Sequence, residues 1–242
     1  MWRFGVFGGL TLLWLIILLP LKAVMIMAGG AATFGYQDVY GSIWDGRIYD
    51  MRIAGVPVRE IEMAADPLPL FTGRLAARWR VSDASARGDG RISMGGDEIR
   101  ARDISLLISI ERLGLRSFPG LDTAQMIDLD IDELTLRDGD CVSVSGRVRT
   151  AALQQFAQTF GFEGPSLLGL LSCDAGRIRV ALDGASEDID VTGTVTINAN
   201  SFSWDLALQT QRAELADVLA LAGMTRNGDI WTYRGSENLA AH

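Results

Sequence analysis

The residues whose types could do chemistry are few: two cysteines, Cys141 and Cys173, one histidine, His242, and an acidic run at Asp128, Asp130, Asp132 and Glu133. An even cysteine pair suits a disulfide. Closing a loop over their separation of 32 would stabilise the domain by about 3.5–4 kcal/mol through chain entropy. A disulfide would also imply an oxidising, periplasm-like compartment; two unconnected buried thiols are the alternative. Zinc fits poorly, because the two thiolates have no local histidine partner. With His242 as the single histidine, Ser-His-Asp and Cys-His nucleophiles drop out as well.

The acidic run alternates carboxylates as the start of a calcium-binding EF-hand loop does. Its sixth position is Glu133 where glycine is needed, and its twelfth is Gly139 where glutamate is needed. It therefore reads as the solvated face of a strand. Gly88-Asp89-Gly90 followed by Gly95-Gly96 lacks both the spacing of a dinucleotide fingerprint and the Gly-Lys-Ser/Thr of a P-loop, and reads as a hairpin turn. Nothing marks out two carboxylates for glycoside chemistry. The expectation is a non-enzymatic protein without cofactor or metal, and a hydrolase using carboxylates alone is the enzymatic alternative. A net charge of −8 argues against a nucleic-acid partner.

The elements that would position these residues are mostly strands. Apolar and polar positions alternate with period two over residues 47–53, 74–81, 128–132 and 177–182, and 191–197 with 202–206 reads as a hairpin. A Gly-Arg-apolar triplet recurs at Gly46, Gly73, Gly90, Gly146 and Gly176; each is expected to open a strand with its arginine outward. Two stretches read as short helices. One covers residues 150–160 with Thr150 as cap and Gly161 as stop; the other covers 211–221 with Gly223 beyond it. The fold class expected is mainly β: a curved, mostly antiparallel sheet with one or two short helices. A composition of 48% hydrophobic residues with 27 glycines supports one folded domain.

Ahead of that domain, the run from Phe4 to Leu21 carries no charge. At about 1.5 Å per residue it would extend about 27 Å as a helix, close to the ~30 Å hydrocarbon core of a bilayer. It reads as a single transmembrane helix, so that residues 1–32 form a short cytoplasmic N-terminus and anchor and residues 33–242 a β-rich domain. A cleaved secretory signal is the rival, with small residues at Ala28, Gly29, Gly30, Ala31 and Ala32. Arg3 and Lys22 flank the run almost symmetrically, so charge leaves its orientation to the cysteines.

Just beyond the anchor stands Gly41-Ser42-Ile43-Trp44-Asp45-Gly46, and later Pro67-Leu68-Pro69-Leu70-Phe71-Thr72-Gly73-Arg74-Leu75. The first resembles the Gly-Thr-x-Trp-x-Gly signature of the protein N family of the type II secretion system, with Ser42 in place of threonine. The second is similar to that family's Pro-x-x-Leu-x-x-Gly-x-Leu stretch, with no tryptophan just upstream of Pro67. The resemblance implies Gly41, Ser42, Trp44, Gly46, Pro67 and Gly73 as structural motif residues. It also implies a single-pass inner-membrane protein with its C-terminal domain in the periplasm, binding other secretion subunits of the inner-membrane platform or the outer-membrane channel. Besides the bilayer, a lipid ligand is a further candidate partner: the alternative function is a membrane-anchored lipid-binding or lipid-transfer module.

Overall fold

Alternation of apolar and polar side chains gives most strands two unlike faces, and short connections return the chain beside itself, so the strands up to β12 assemble in sequence order. The computed structural model describes residues 14, 18–27, 35–53, 56–110, 125–159, 161–198, 201–221 and 223–238. In it, fourteen strands form one sheet in the order β1 to β12, then β14 and β13, with every neighbouring pair antiparallel. They are β1 (Asp38–Ser42), β2 (Asp45–Ile53), β3 (Val56–Asp66), β4 (Leu75–Ser82), β5 (Ala86–Gly95), β6 (Glu98–Ser109) and β7 (Met126–Arg137). The second half comprises β8 (Asp140–Thr150), β9 (Leu167–Asp174), β10 (Arg177–Ala185), β11 (Ile189–Ile197), β12 (Ser201–Thr210), β13 (Thr225–Asn227) and β14 (Ile230–Asn238).

The two ends of the sheet differ. One, the turn end, gathers the tight β1–β2, β5–β6, β7–β8 and β9–β10 connections. The other, the helix end, carries α2 (Ala152–Thr159) between β8 and β9, and α3 (Leu215–Leu221) between β12 and β13. A third short helix, α1 (Leu21–Met27), precedes β1. The first expected helix is observed nearly as read: Thr150 Oγ1 accepts the Ala152 N–H at 3.2 Å, and Gly161 follows at φ +76°. The second is shorter than residues 211–221, because Arg212 is drawn to Asp188 at 2.7 Å and its N–H to Thr210 Oγ1 at 3.2 Å.

Two cores lie along one face. At the N-terminal side Leu21, Val39, Ile48, Val58, Ile61, Val81 and Ala86 are buried together, with Met25 of α1 against them. At the C-terminal side Ala157, Phe162, Ile189, Val191, Leu208, Leu215, Leu219 and Trp231 form the second, under α2 and α3. Each of their Val, Leu, Ile and Phe side chains contributes about 1.5–3 kcal/mol by leaving water. Between them, half-buried rows such as Leu106, Leu129 and Val148 continue in register across β6, β7 and β8.

The other face is charged. Arg47 pairs with Glu60 and Glu62 at 3.7 Å, Arg102 with Glu133 at 3.1 Å, and Arg147 with Asp130 at 3.2 Å. Two members of the acidic run thus face cross-strand arginines, each an exposed pair worth little singly. The triplet arginines do point outward, but Gly90 and Gly146 sit inside β5 and β8 instead of opening them. A Cβ at Gly90 would meet Ile104 at 2.9 Å and the Trp79 ring at 3.0 Å, so glycine serves close approach there. Gly88-Asp89-Gly90 is accordingly strand, and the turn falls at Gly96, φ +63°.

Candidate functional site

The turn end brings the two motif stretches together. Gly41 of β1 lies opposite Gly46 of β2, and Ser42 opposite Asp45, leaving Ile43 and Trp44 as a two-residue loop. Ser42 Oγ accepts the N–H groups of Trp44 and Asp45, both at 3.3 Å, which closes the loop. A threonine hydroxyl would serve the same purpose, so Ser42 preserves the chemistry of the position. Gly41 takes φ +84°, and a Cβ on it would run into the Asp45 carbonyl. A Cβ on Gly46 would collide with the Leu21 side chain and come 2.7 Å from Ser42 O.

The chain enters the domain at this point. The Ile43 N–H donates to Leu19 O at 3.1 Å, Pro20 bridges Ser42, and Ile43 O accepts the Ala65 N–H at 2.8 Å. One loop residue therefore joins three segments: the tail of the apolar run, the signature loop and the end of β3. Of the run from Phe4 to Leu21, only Trp14 and residues 18–21 are described; Phe4 lies outside the described residues, as do Ala28 to Ala32 and His242. The Leu18 N–H donates to Trp14 O at 3.0 Å, an α-helical bond, and both side chains are exposed, at 62% and 60%. Among the described residues no helix is long and apolar enough to cross a membrane.

Beyond Ala65 the second motif stretch forms a 3₁₀ helix over Leu68–Thr72, started by Pro67 and stopped by Gly73 at φ +73°. Gly73 N–H returns to Leu70 O at 3.1 Å and Arg74 N–H to Pro69 O at 3.0 Å. None of its residues is buried; Leu68 is 77% and Phe71 88% exposed. Next in chain, Leu75 opens an in-register row with Met94, Ile99 and Leu136 across β4, β5, β6 and β7, the first three exposed.

On the opposite face of that rim, Glu98 is held by three arginines. Arg74 Nη2 and Arg100 Nε each stand 2.6 Å from its carboxylate, and Arg137 Nη2 stands at 3.2 Å. Hydrogen bonds from Arg74 and then Arg137 lower the Glu98 pKa to about 2, against some desolvation. Arg74 is legible in the sequence through its triplet and its partners are not; Gly95-Gly96, just before Glu98, is the signal for the turn that presents them.

Farther along the same rim, Cys141 and Cys173 form a disulfide, with Cα atoms 5.6 Å apart. The β8–β9 ladder covers only Arg147–Thr150 against residues 167–170. Nearer the turns the disulfide and the Cys141 N–H bond to Gly176 O, at 2.7 Å, hold the strands together. Among the described residues no three His, Cys, Asp or Glu side chains are grouped to hold a metal. A cleft of about 380 Å³ on the charged face is lined by Arg78, Arg80, Arg91, Glu62, Asp89 and Asp103 among others.

A family model described as Type II secretion system (T2SS), protein N matches residues 32–232. No curated protein and no solved structure matches the chain.

Proposed function

The chain belongs to the protein N family of the type II secretion system, and we propose that it serves that machinery as a membrane-anchored binding module without catalytic activity. In this reading the uncharged run that begins at Phe4 crosses the bacterial inner membrane once, and its last residues, Leu19 to Leu21, already join the sheet. The β domain stands in the periplasm, where a disulfide is stable, and binds other secretion subunits through its exposed rim and sheet edges.

The observation that carries the reading is the junction at Ile43. Three of the motif residues build this join: Gly46 clears space for Leu21, and Gly41 and Ser42 shape the loop in which Ile43 bonds to Leu19 and Ala65. That Gly41, Ser42 and Gly46 gather at an attachment point supports a binding role over a catalytic one.

The test is affinity purification of the full-length protein from native membranes after crosslinking, with mass spectrometry of proteins and lipids. Recovery of secretion-platform or channel subunits supports the reading. Stoichiometric lipid without any secretion subunit overturns it in favour of a lipid carrier.

A further inference from the structure

We infer that the 3₁₀ helix Leu68–Thr72 inserts its apolar side chains into the interfacial zone of the same bilayer that holds the apolar run ahead of Leu19, so that the turn end of the sheet lies against the membrane surface. The inference rests on the anchor reading above and adds a second, separate membrane contact.

The position follows from bonding. Leu19 is tied to Ile43 and Ile43 to Ala65. Leu68 is three residues beyond Ala65, so at up to about 3.6 Å per residue it stands within about 11 Å of that point. The uncharged run ends at Leu21, two residues past the bonded Leu19, so the tip and the exit from the bilayer share one end of the sheet. Interfacial zones flank the hydrocarbon by several ångströms on each side, a depth that a protruding helix of about 10 Å can reach.

The composition of the tip fits that depth. Leu68 and Phe71 are among the most exposed large apolar side chains of the described residues, at 77% and 88%, and the helix buries nothing in either core. Leu75, 65% exposed, and Met94, 45% exposed, continue the apolar surface onto the sheet. Pro67 and Pro69 stiffen the segment, and the backbone bonds of Gly73 and Arg74 satisfy its end without water.

Charge does not drive the contact. Arg74, Arg100 and Arg137 are shared by Glu98, and Asp66, Asp97 and Asp138 stand along the same rim. No net positive patch is left to seek anionic headgroups. Insertion is therefore apolar and insensitive to lipid charge, as for other amphipathic segments held by buried apolar area.

The experiment places a single nitroxide on the full-length protein in nanodiscs, at Phe71→Cys, with Leu68→Cys as a second tip probe, Leu12→Cys in the apolar run and Glu187→Cys at the helix end. The native cysteines are paired, so only the new thiol is labelled. Oxygen and a water-soluble nickel chelate report depth, in discs of phosphatidylcholine alone and with phosphatidylglycerol added. The result expected is severalfold greater accessibility to oxygen than to nickel at positions 71, 68 and 12 in both lipids, and the reverse at 187. Positions 71 and 68 in water while 12 is in the bilayer overturns this inference and leaves the anchor standing. Position 12 in water overturns the anchor and this inference with it. Insertion at 71 only with phosphatidylglycerol overturns the apolar mechanism.

Discussion

The side chain of Leu21 occupies the space that a β-carbon on Gly46 would need, so the last residue of the apolar run and the last glycine of the signature exclude any larger pair. Leu21 is 6% exposed and belongs to the N-terminal core. The way the chain leaves its apolar segment is thereby built into the packing of the sheet.

Substitution Gly46→Ala should destabilise the domain by about 1–3 kcal/mol through overpacking against Leu21 and Ser42 O. Leu21→Ala should cost about 2–5 kcal/mol as a cavity. The double variant should cost less than the two added together, by about 0.5–3 kcal/mol, because the shortened side chain makes room for the new methyl. Urea unfolding in detergent measures all three; strict additivity would show that the two residues do not share the space.

Glu98 predicts an acid limb. Its pKa is lower folded, at about 2, than its ordinary value of 4.5, so its contribution is complete above pH 4.5 and is lost as the pH falls toward 2. Replacing it as Glu98→Gln should lower stability at pH 7, where three arginines lose their shared carboxylate, and flatten the slope of stability between pH 4.5 and 2. Thermal melts across that window check it; an unchanged slope would mean the carboxylate is not bound by the arginines.

Removing the Cys141–Cys173 bridge in a Cys141→Ser, Cys173→Ser variant should cost about 3.5–4 kcal/mol. The loss should appear first in the β8–β9 region, since the ladder there stops at Arg147. Amide hydrogen exchange should show faster exchange at Cys141 and its neighbours than at Thr150. Uniform protection across β8 would refute the idea that the bridge substitutes for missing strand pairing.

Ala175 takes φ +49° beside Gly176 at φ +78°, a turn with both central residues left-handed. Alanine pays the steric cost of that region, whereas asparagine tolerates it. Ala175→Asn should stabilise the protein by about 0.5–1 kcal/mol, read as a rise in melting temperature. A fall would place the turn in another conformation.

Strand content was legible because alternation with period two reports which side of a strand leaves water, and that is a local property. β2, β4, β7, β10 and the β11–β12 hairpin were readable for this reason. Glycine was harder to read, since the same residue serves a turn at Gly96 and a crowded crossing at Gly90, and only neighbours on other strands distinguish the two. α3 came out short because Asp188, far away in sequence, competes for Arg212.

At the junction the division is sharper. Residue types alone established an uncharged run, a Gly-Ser-x-Trp-x-Gly loop, a proline–glycine bracket and an even cysteine pair, because each depends on hydropathy, backbone freedom or counting within a short stretch. That Ile43 joins Leu19 to Ala65, and that Glu98 collects Arg74 and Arg137 from other strands beside its own neighbour Arg100, were decided by strand register. Register is a relation between distant segments, set by the packing of whole faces, and no local run of residues encodes it.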